Sequence, residues 1–469
     1  MAGHYRSAHY SGTSSDSLAA DLSAVRAETI ERLQALIRFD TTNPPGNELE
    51  LAKYLVKALE GAGIQTTLLE PAPNRAAVIA RLKGNGSKRP VMLMAHMDVV
   101  GVEREKWSVD PFAGEIRDGY LYGRGAIDDK GMLAANLMAM LLMKRTVVDA
   151  GVELERDVIF LATSDEETGG VDGIKWVVRE HFDLIDAEFA INEGGRTRII
   201  AGGKRYLAIQ TAEKISHMVT LTARGPAGHA AIPLAGNAIF RLGRALDRLS
   251  RYREPVQLNA TTRGFFSELS RMWPDAAEGS AMADLVSNDA SASARGAEAL
   301  SNIPVFNAVM RNGISPTRVV GGLAGNVIPA EASVVLNVRT IPGEDIDGIV
   351  QRIEACVDDP EVTVAISTRG GEAPASDPDS AMFAAIADAA RDVDPAITVV
   401  PYLSTGGTDS AHLRRAGIHS YGILPFPMEQ PDEERMHGHD ERVPVESLHF
   451  GTSLIFRAVQ RVCGGRPQG

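Results

Sequence analysis

The sequence predicts an α/β fold in which a large, mainly parallel sheet is interrupted by a smaller ferredoxin-like α+β unit. Two patterns carry this reading. In the first and last parts of the chain, short runs apolar on both faces alternate with helical stretches. Strands covered by helices on both sides read that way. Between those parts the runs alternate apolar and polar, as in strands with one solvated face.

In chain order, the polar opening "MAGHYRSAHYSGTSSDS" has no apolar segment, so residues 1–20 read as a loose tail and not as a secretory signal. Residues 21–38 carry apolar side chains at helical spacing, and "NPPGNE" (43–48) stops that helix and starts another reaching about Gly61. Buried strands follow at "AAVIARL" (76–82), "VMLMA" (91–95), "DVIFLAT" (157–163) and "AEFAIN" (187–192), with helices at 131–146 and 171–180. After about residue 207 come the alternating strand "HMVTLTARG" (217–225) and the amphipathic helix "NAIFRLGRALDRLSRY" (237–252). The strand "ASVVLNVRTIP" (332–342), a helix at 344–357 and the strand "VTVAIST" (362–368) complete a small antiparallel sheet with two helices. The Ala-, Ser- and Asp-rich stretch 274–300 reads as an irregular elaboration of that unit. From about 373 the first pattern resumes, with helices at 380–393 and 446–463. The expected units are a large one over 21–206 and 371–469, and a lid or dimerisation unit over 207–370.

A chain of 469 residues is too long for one small core. Acidic residues outnumber basic ones 61 to 48, giving a formal charge of −13. That argues against nucleic acid or an anionic membrane as the main partner. The carboxylates of a metal site add to the same total, so charge does not name a substrate. Cys356 and Cys463, the two cysteines, suggest neither a disulfide framework nor a thiolate metal site. No run approaches the roughly 20 apolar residues of a membrane span. The cytoplasm is the default location.

The chemistry gathers where strands end, which is where open parallel sheets place their functional groups. His96-x-Asp98 follows one strand, "SDEETGG" with Glu166 and Glu167 another, and "NEGG" with Glu193 a third. "GRGAIDDKG" puts Asp128 and Asp129 at a helix start, and "MHGHDERVP" adds His437 and His439. Each alone has a plain structural explanation, as a cap, a solvated turn or a satisfied histidine. Together they would leave several carboxylates unpaired in one crevice, and divalent cations remove that conflict. Imidazole and carboxylate without thiolate suit Zn²⁺, Co²⁺ or Mn²⁺, and the donors suffice for two ions. Two ions sharing a carboxylate, with water between them, is an arrangement for hydrolysing an unactivated amide.

The ordered set "AHMDVV", "GRGAIDDKG", "SDEETGG", "NEGG", "RGPAGHAAIP", "AGNVIPAEASVVLNVR", "TGGTDS" and "HGHDER" resembles a family of zinc-dependent amidohydrolases and exopeptidases. That family includes aminoacylase-1, carboxypeptidases G and S, acetylornithine deacetylase and succinyl-diaminopimelate desuccinylase. The resemblance runs from about residue 25 to about 463. It implies that His96 and Glu193 hold one metal, Glu167 and His437 the other, and that Asp128 bridges them. Glu166 would be the general base and Asp98 the residue that orients His96. His437 is preferred to His439 because the family spacing His-x-x-(Asp/Asn)-Glu is met by His437, Asp440 and Glu441. A cis Asp128–Asp129 peptide is also implied. On the smaller unit, His229 would stabilise the oxyanion, supplied by the partner subunit in dimeric members. Arg339 and Asn326 would bind the substrate's carboxylate or carbonyl, with backbone amides of the "GGTDS" turn, at Gly407 and Thr408, completing the pocket.

The resulting expectation is a dinuclear hydrolase, with two divalent ions per chain and Zn²⁺ foremost. It would cleave a C–N bond in N-acyl-amino acids or short peptides with a free carboxylate. A narrow biosynthetic deacylase is the alternative within enzymes, and a silent peptide-binding protein on the same fold the alternative outside them. "AEK" (212–214) leans towards the carboxypeptidase S and aminoacylase side. The expected partner is a small molecule or short peptide, not nucleic acid or membrane. A homodimer through the smaller unit is compatible with the resemblance.

Overall fold

The structure, a computed structural model, describes residues 15–464 and 466–467. Of the polar opening expected to be loose, residues 1–14 lie outside the described residues and 15–20 begin a helix. Helices α1 (Ser15–Ile37) and α2 (Leu49–Gly61) lead into strands β1 (Gln65–Leu69), β2 (Ala77–Leu82) and β3 (Val91–His96). Helix α3 (Lys130–Met143), β4 (Val158–Thr163), α4 (Ile174–Glu180), β5 (Phe189–Asn192), β6 (Arg196–Ile199) and β7 (Arg205–Glu213) follow. The middle of the chain holds β8 (Ile215–Arg224) and α5 (Ala238–Arg251), then α6 (Ala260–Met272), α7 (Ala276–Leu285), α8 (Ala290–Leu300) and α9 (Pro304–Met310). Next come β9 (Gly313–Gly321), β10 (Glu331–Thr340), α10 (Ile346–Val357) and β11 (Val362–Thr368). The last part has α11 (Ala381–Val393), β12 (Thr398–Ser404), α12 (Ser410–Arg415), β13 (His419–Gly422), β14 (Met428–Glu429) and α13 (Val445–Cys463).

The large sheet has 10 strands in the order β1-β2-β4-β3-β5-β13-β7-β6-β14, with β12 beside β7. Its centre, β4-β3-β5-β13, is parallel throughout. Antiparallel pairings flank it at β1-β2, β2-β4, β13-β7 and β7-β6. Apolar side chains fill both faces, one covered by α1, α2, α3, α11 and α13 and the other by α4 and α12. Every residue of α3 is buried, because it packs between the sheet, α1 and α13. With the turn that follows, Lys130–Val148 has the length and hydropathy of a membrane span, contrary to the expectation that no stretch does. That window is 78% buried inside the protein, as an all-round apolar core helix requires.

The small sheet, β9-β10-β8-β11, is antiparallel throughout, with its core against α5 and α10. This βαββαβ order is ferredoxin-like. Two details differ from the sequence expectation. Strand β7 belongs to the large sheet, so the small sheet starts at Ile215 and not at 207. The stretch 274–300 is not irregular and does not elaborate the small sheet. Helices α6–α9 pack their Phe265, Phe266, Met282, Leu300 and Phe306 onto Tyr206, Ala208, Val400 and Tyr402 of the large sheet.

The chain therefore passes between the sheets at Lys214, 252–259, Arg311–Asn312 and 369–380. Hydrogen bonds tie these passages together. Lys214 Nζ donates to the Arg311 carbonyl (2.5 Å), and Arg311 Nη1 to that of Glu254 (3.1 Å). Asn312 Nδ2 donates to Glu254 Oε2 (3.0 Å), Gly370 N to His217 Nδ1 (3.1 Å) and Ser376 N to the Thr211 carbonyl (2.8 Å).

Candidate metal centre

Three parallel neighbours, β4, β3 and β5, end side by side, with His96 level with Thr163 in the ladder. The polar residues after each strand are thereby delivered to one place. Glu193 follows β5 on a turn that needs glycine. Gly194 has φ +115°, and a Cβ there would meet Gln210 Oε1 at 2.2 Å. Asp128 and Asp129 precede α3 and are joined by a cis peptide. His437 arrives from a distant loop, with left-handed backbone (φ 61°).

Two sets of donors result, His96–Asp128–Glu193 and Asp128–Glu167–His437, each with ligand atoms within 4.8 Å of one another. Asp128 belongs to both. His96 Nε2 lies 2.9 Å from Asp128 Oδ1 and 3.9 Å from Glu193 Oε1. His437 Nε2 lies 3.0 Å from Asp128 Oδ2 and 3.3 Å from Glu167 Oε1. His439 stands apart, exposed and 3.0 Å from Glu103.

The electrostatics fit cations. Burial opposes ionisation of Asp128, yet hydrogen bonds from His437 and His96 hold its carboxyl well below the ordinary value. Hydrogen bonds to Asp128 and Glu167 lift His437 to about 10. Burial and the neighbouring Asp128 push the Glu193 carboxyl well up. Glu167 Oε1 is buried against the His437 imidazole. Divalent cations would take over the charge that these protons balance, and would displace them, so the site's hold on metal strengthens as pH rises. Nitrogen and oxygen donors without thiolate match Zn²⁺, Co²⁺ or Mn²⁺.

Glu166 lies outside both donor sets, on the rim of a cleft of about 650 Å³ that Arg339, Gly407 and Thr408 also line. Burial raises its carboxyl well above the usual range, with His96 opposing and Asp409 reinforcing the rise. Among the described residues Arg339 has no carboxylate within 4 Å of its guanidinium, and it donates through Nε to Asn337 (2.9 Å). Thr408 departs from the sequence expectation. Its amide and hydroxyl both donate to Glu213, at 3.3 and 2.9 Å, so neither is free for a substrate anion. Asn326 and His229 sit together at an exposed two-stranded antiparallel ladder, where the Asn326 carbonyl accepts from Ala230 (3.0 Å). Among the described residues, neither side chain has a hydrogen bond or ion pair to the carboxylate cluster.

Residues 92–461, well over half of the chain, match the profile of peptidase family M20/M25/M40. The chain belongs to this family. It is 26% identical over 449 residues to the N-fatty-acyl-amino acid synthase/hydrolase PM20D1 of Xenopus tropicalis, spanning 93% of this chain and 86% of that one. Rattus norvegicus aminoacylase-1B is 25% identical across 90% of this chain and 92% of its own. Among solved structures, the M20 family metallo-carboxypeptidase Sso-CP2 of Sulfolobus solfataricus superposes with TM-score 0.68 at 18% identity, over 92% of this chain and 98% of that one. The Bacillus subtilis YXEP protein, a dinuclear metal-binding peptidase, does so with TM-score 0.61 at 17% identity, over 94% and 99%.

This M20-family hydrolase also holds its site through buried groups that stand outside the two donor sets. Asp98 was expected to orient His96 through its carboxylate. Its backbone carbonyl is the closer acceptor of Nδ1, at 3.0 Å against 3.5 Å. The carboxylate instead accepts from the Glu166 and Glu167 amides (both 3.2 Å) and from Asn43 Nδ2 (2.8 Å). Asp98 thus aligns the histidine and the glutamate turn at once. Asp165, left-handed at φ 70°, is held there by Thr168, Asp172, Asn43 and Arg75, and Arg75 also binds Glu48. Glu441 accepts from Arg124 (2.5 Å) and from the amides of Ile127 (2.8 Å) and Asp128 (3.2 Å), fastening the His437 loop to the Asp128 turn. The prolines beside Asn43 and the His-x-x-Asp-Glu spacing were the available signals for two of these.

Proposed function

We propose that the protein hydrolyses the amide C–N bond of N-acyl-amino acids or short peptides bearing a free carboxylate, with zinc as the resident ion. The observation that carries this is the pair of donor sets sharing Asp128, beside an unligated Glu166 and a cleft lined by Arg339. The names of the relatives, an aminoacylase and an N-fatty-acyl-amino acid hydrolase, support the substrate class.

In this reading His96 and Glu193 would hold one ion and Glu167 and His437 the other, with Asp128 belonging to both donor sets. When bound, the ions would supply Lewis-acid polarisation of the amide carbonyl and of the attacking water. Glu166 takes a proton from that water and delivers it to the departing nitrogen. Arg339 grips the carboxylate with its planar fork, fixing the scissile carbonyl relative to Glu166. The test is hydrolysis of N-acetyl and long-chain N-acyl-amino acids and dipeptides after metal removal and after titration with Zn²⁺, Co²⁺ or Mn²⁺. Activity should vanish on chelation and return with about two ions per chain. Activity indifferent to chelation would overturn the reading.

His229 would complete the site as an oxyanion donor. Exposed Val319 and Val320 of the edge strand β9, Leu323 just beyond it and Phe240 of α5 give a second copy an apolar surface to dock on, and support supply of His229 by that copy. His229→Ala should lower kcat more than it raises KM, because an oxyanion donor acts mainly in the transition state. Mixing inactive His229→Ala and Glu166→Gln subunits should restore activity if the histidine crosses between copies. No restoration would place it in the same chain.

A further inference from the structure

Lys214, the single residue between β7 and β8, is a buried cation to which the mechanism above gives no work. It is 3% exposed, and among the described residues no carboxylate lies within 4 Å of its ammonium. Nζ donates to the Arg311 carbonyl, leaving two of its three N–H groups over. Its neighbour Glu213 does not neutralise it, being engaged by Arg414 (2.9 Å), Gln210 (2.9 Å) and Thr408 (2.9 Å). A buried ammonium without an anion is costly and is retained where a ligand brings the anion.

Lys214 also lines the cleft that contains Glu166 and Arg339. Ser216, two positions further along, pairs directly with Arg339 in the small sheet, so Lys214 stands just before the strand that neighbours Arg339. Burial, then the Arg339 charge, lowers the Lys214 ammonium to about 8. An anion between the two would relieve both effects.

We propose that Lys214 is a second cation of the substrate pocket and binds, together with Arg339, the carboxylate next to the scissile amide. The assignment rests on the carboxylate-substrate reading above, and replaces the Thr408 contact that Glu213 pre-empts. It makes the anion grip a pair of charges, one at the junction between the sheets and one on the small sheet.

The experiment compares an N-acyl-amino acid with its carboxamide, as kcat/KM and as calorimetric affinity, in zinc-loaded wild type, Lys214→Met, Lys214→Arg and Arg339→Met. Lys214→Met should lose about 10- to 100-fold of the preference for acid over amide, chiefly in KM. Lys214→Arg should keep most of it. Arg339→Met should retain a residual preference of about tenfold from the lysine alone. An acid preference unchanged in Lys214→Met, or abolished outright in Arg339→Met, would overturn the assignment. An acid preference in binding without turnover would overturn the hydrolase reading and leave the Lys214 assignment standing.

Discussion

Replacing Glu166 with Gln should reduce kcat by about 10²–10⁴-fold while the protein stays folded and keeps its metal. The carboxamide has the same shape but cannot accept a proton from water. Glu166 stands outside both donor sets, so metal content should not fall. Its neighbour behaves oppositely. Glu167 belongs to the set with His437 and Asp128, and Glu167→Gln should weaken one ion before it touches chemistry. The raised carboxyl of Glu166 also fixes the sign of the pH dependence. A base works deprotonated, so kcat/KM should fall as pH drops through its pKa, and that acid limb should disappear in the residual activity of Glu166→Gln. Steady-state kinetics beside elemental analysis decide the matter. Two variants with equal metal loss and retained activity would show that the pair does not divide into base and ligand.

Glu441→Ala should be the most destabilising single change near the site, by about 3–5 kcal/mol. Arg124 and Glu441 are 2% and 0% exposed, and removing the glutamate strands a guanidinium in the interior. Two backbone amides, of Ile127 and Asp128, lose their acceptor in the same step. Because those amides belong to the turn that carries the shared aspartate, metal affinity should fall along with the denaturant midpoint. A midpoint shift worth less than about 1 kcal/mol would mean that water reaches Arg124 and that the pair is dispensable.

Much of the centre could be read in the sequence because buried strands and metal donors obey incompatible rules. A strand such as "VMLMA" tolerates no charge along its length, so His96 and Asp98 immediately after it mark both its end and a function. The same contrast exposes Glu166, Glu167 and Glu193. Residues that act through a tertiary partner leave no such mark. Glu213 meets Thr408 from 195 positions away, and no local pattern announces that it would occupy the turn's donors. Helices α7 and α8 were missed for a different reason. They are built of Ala, Ser and Gly, which give little amphipathic contrast, and small side chains are what their close packing requires. A Cβ at Gly296 would meet the Ala281 carbonyl at 2.4 Å. Their caps, Asp275 and Asp289, each accepting from two backbone amides, were the usable signal.

The bundled passages at Lys214, Glu254, Arg311–Asn312 and Gly370 have a mechanical consequence. They form a waist, and a body held at one narrow waist is stiff to sliding but free to tilt. No ladder of either sheet has to break for the small sheet to swing. Strand β8 leaves the waist at Ile215 and runs 10 residues to Arg224, with His229 beyond it. At about 3.3 Å per residue, that lever is about 30 Å long. A tilt of about 10° at the base therefore carries the tip through about 5 Å, more than a hydrogen bond's length, while Lys214 at the fulcrum hardly moves.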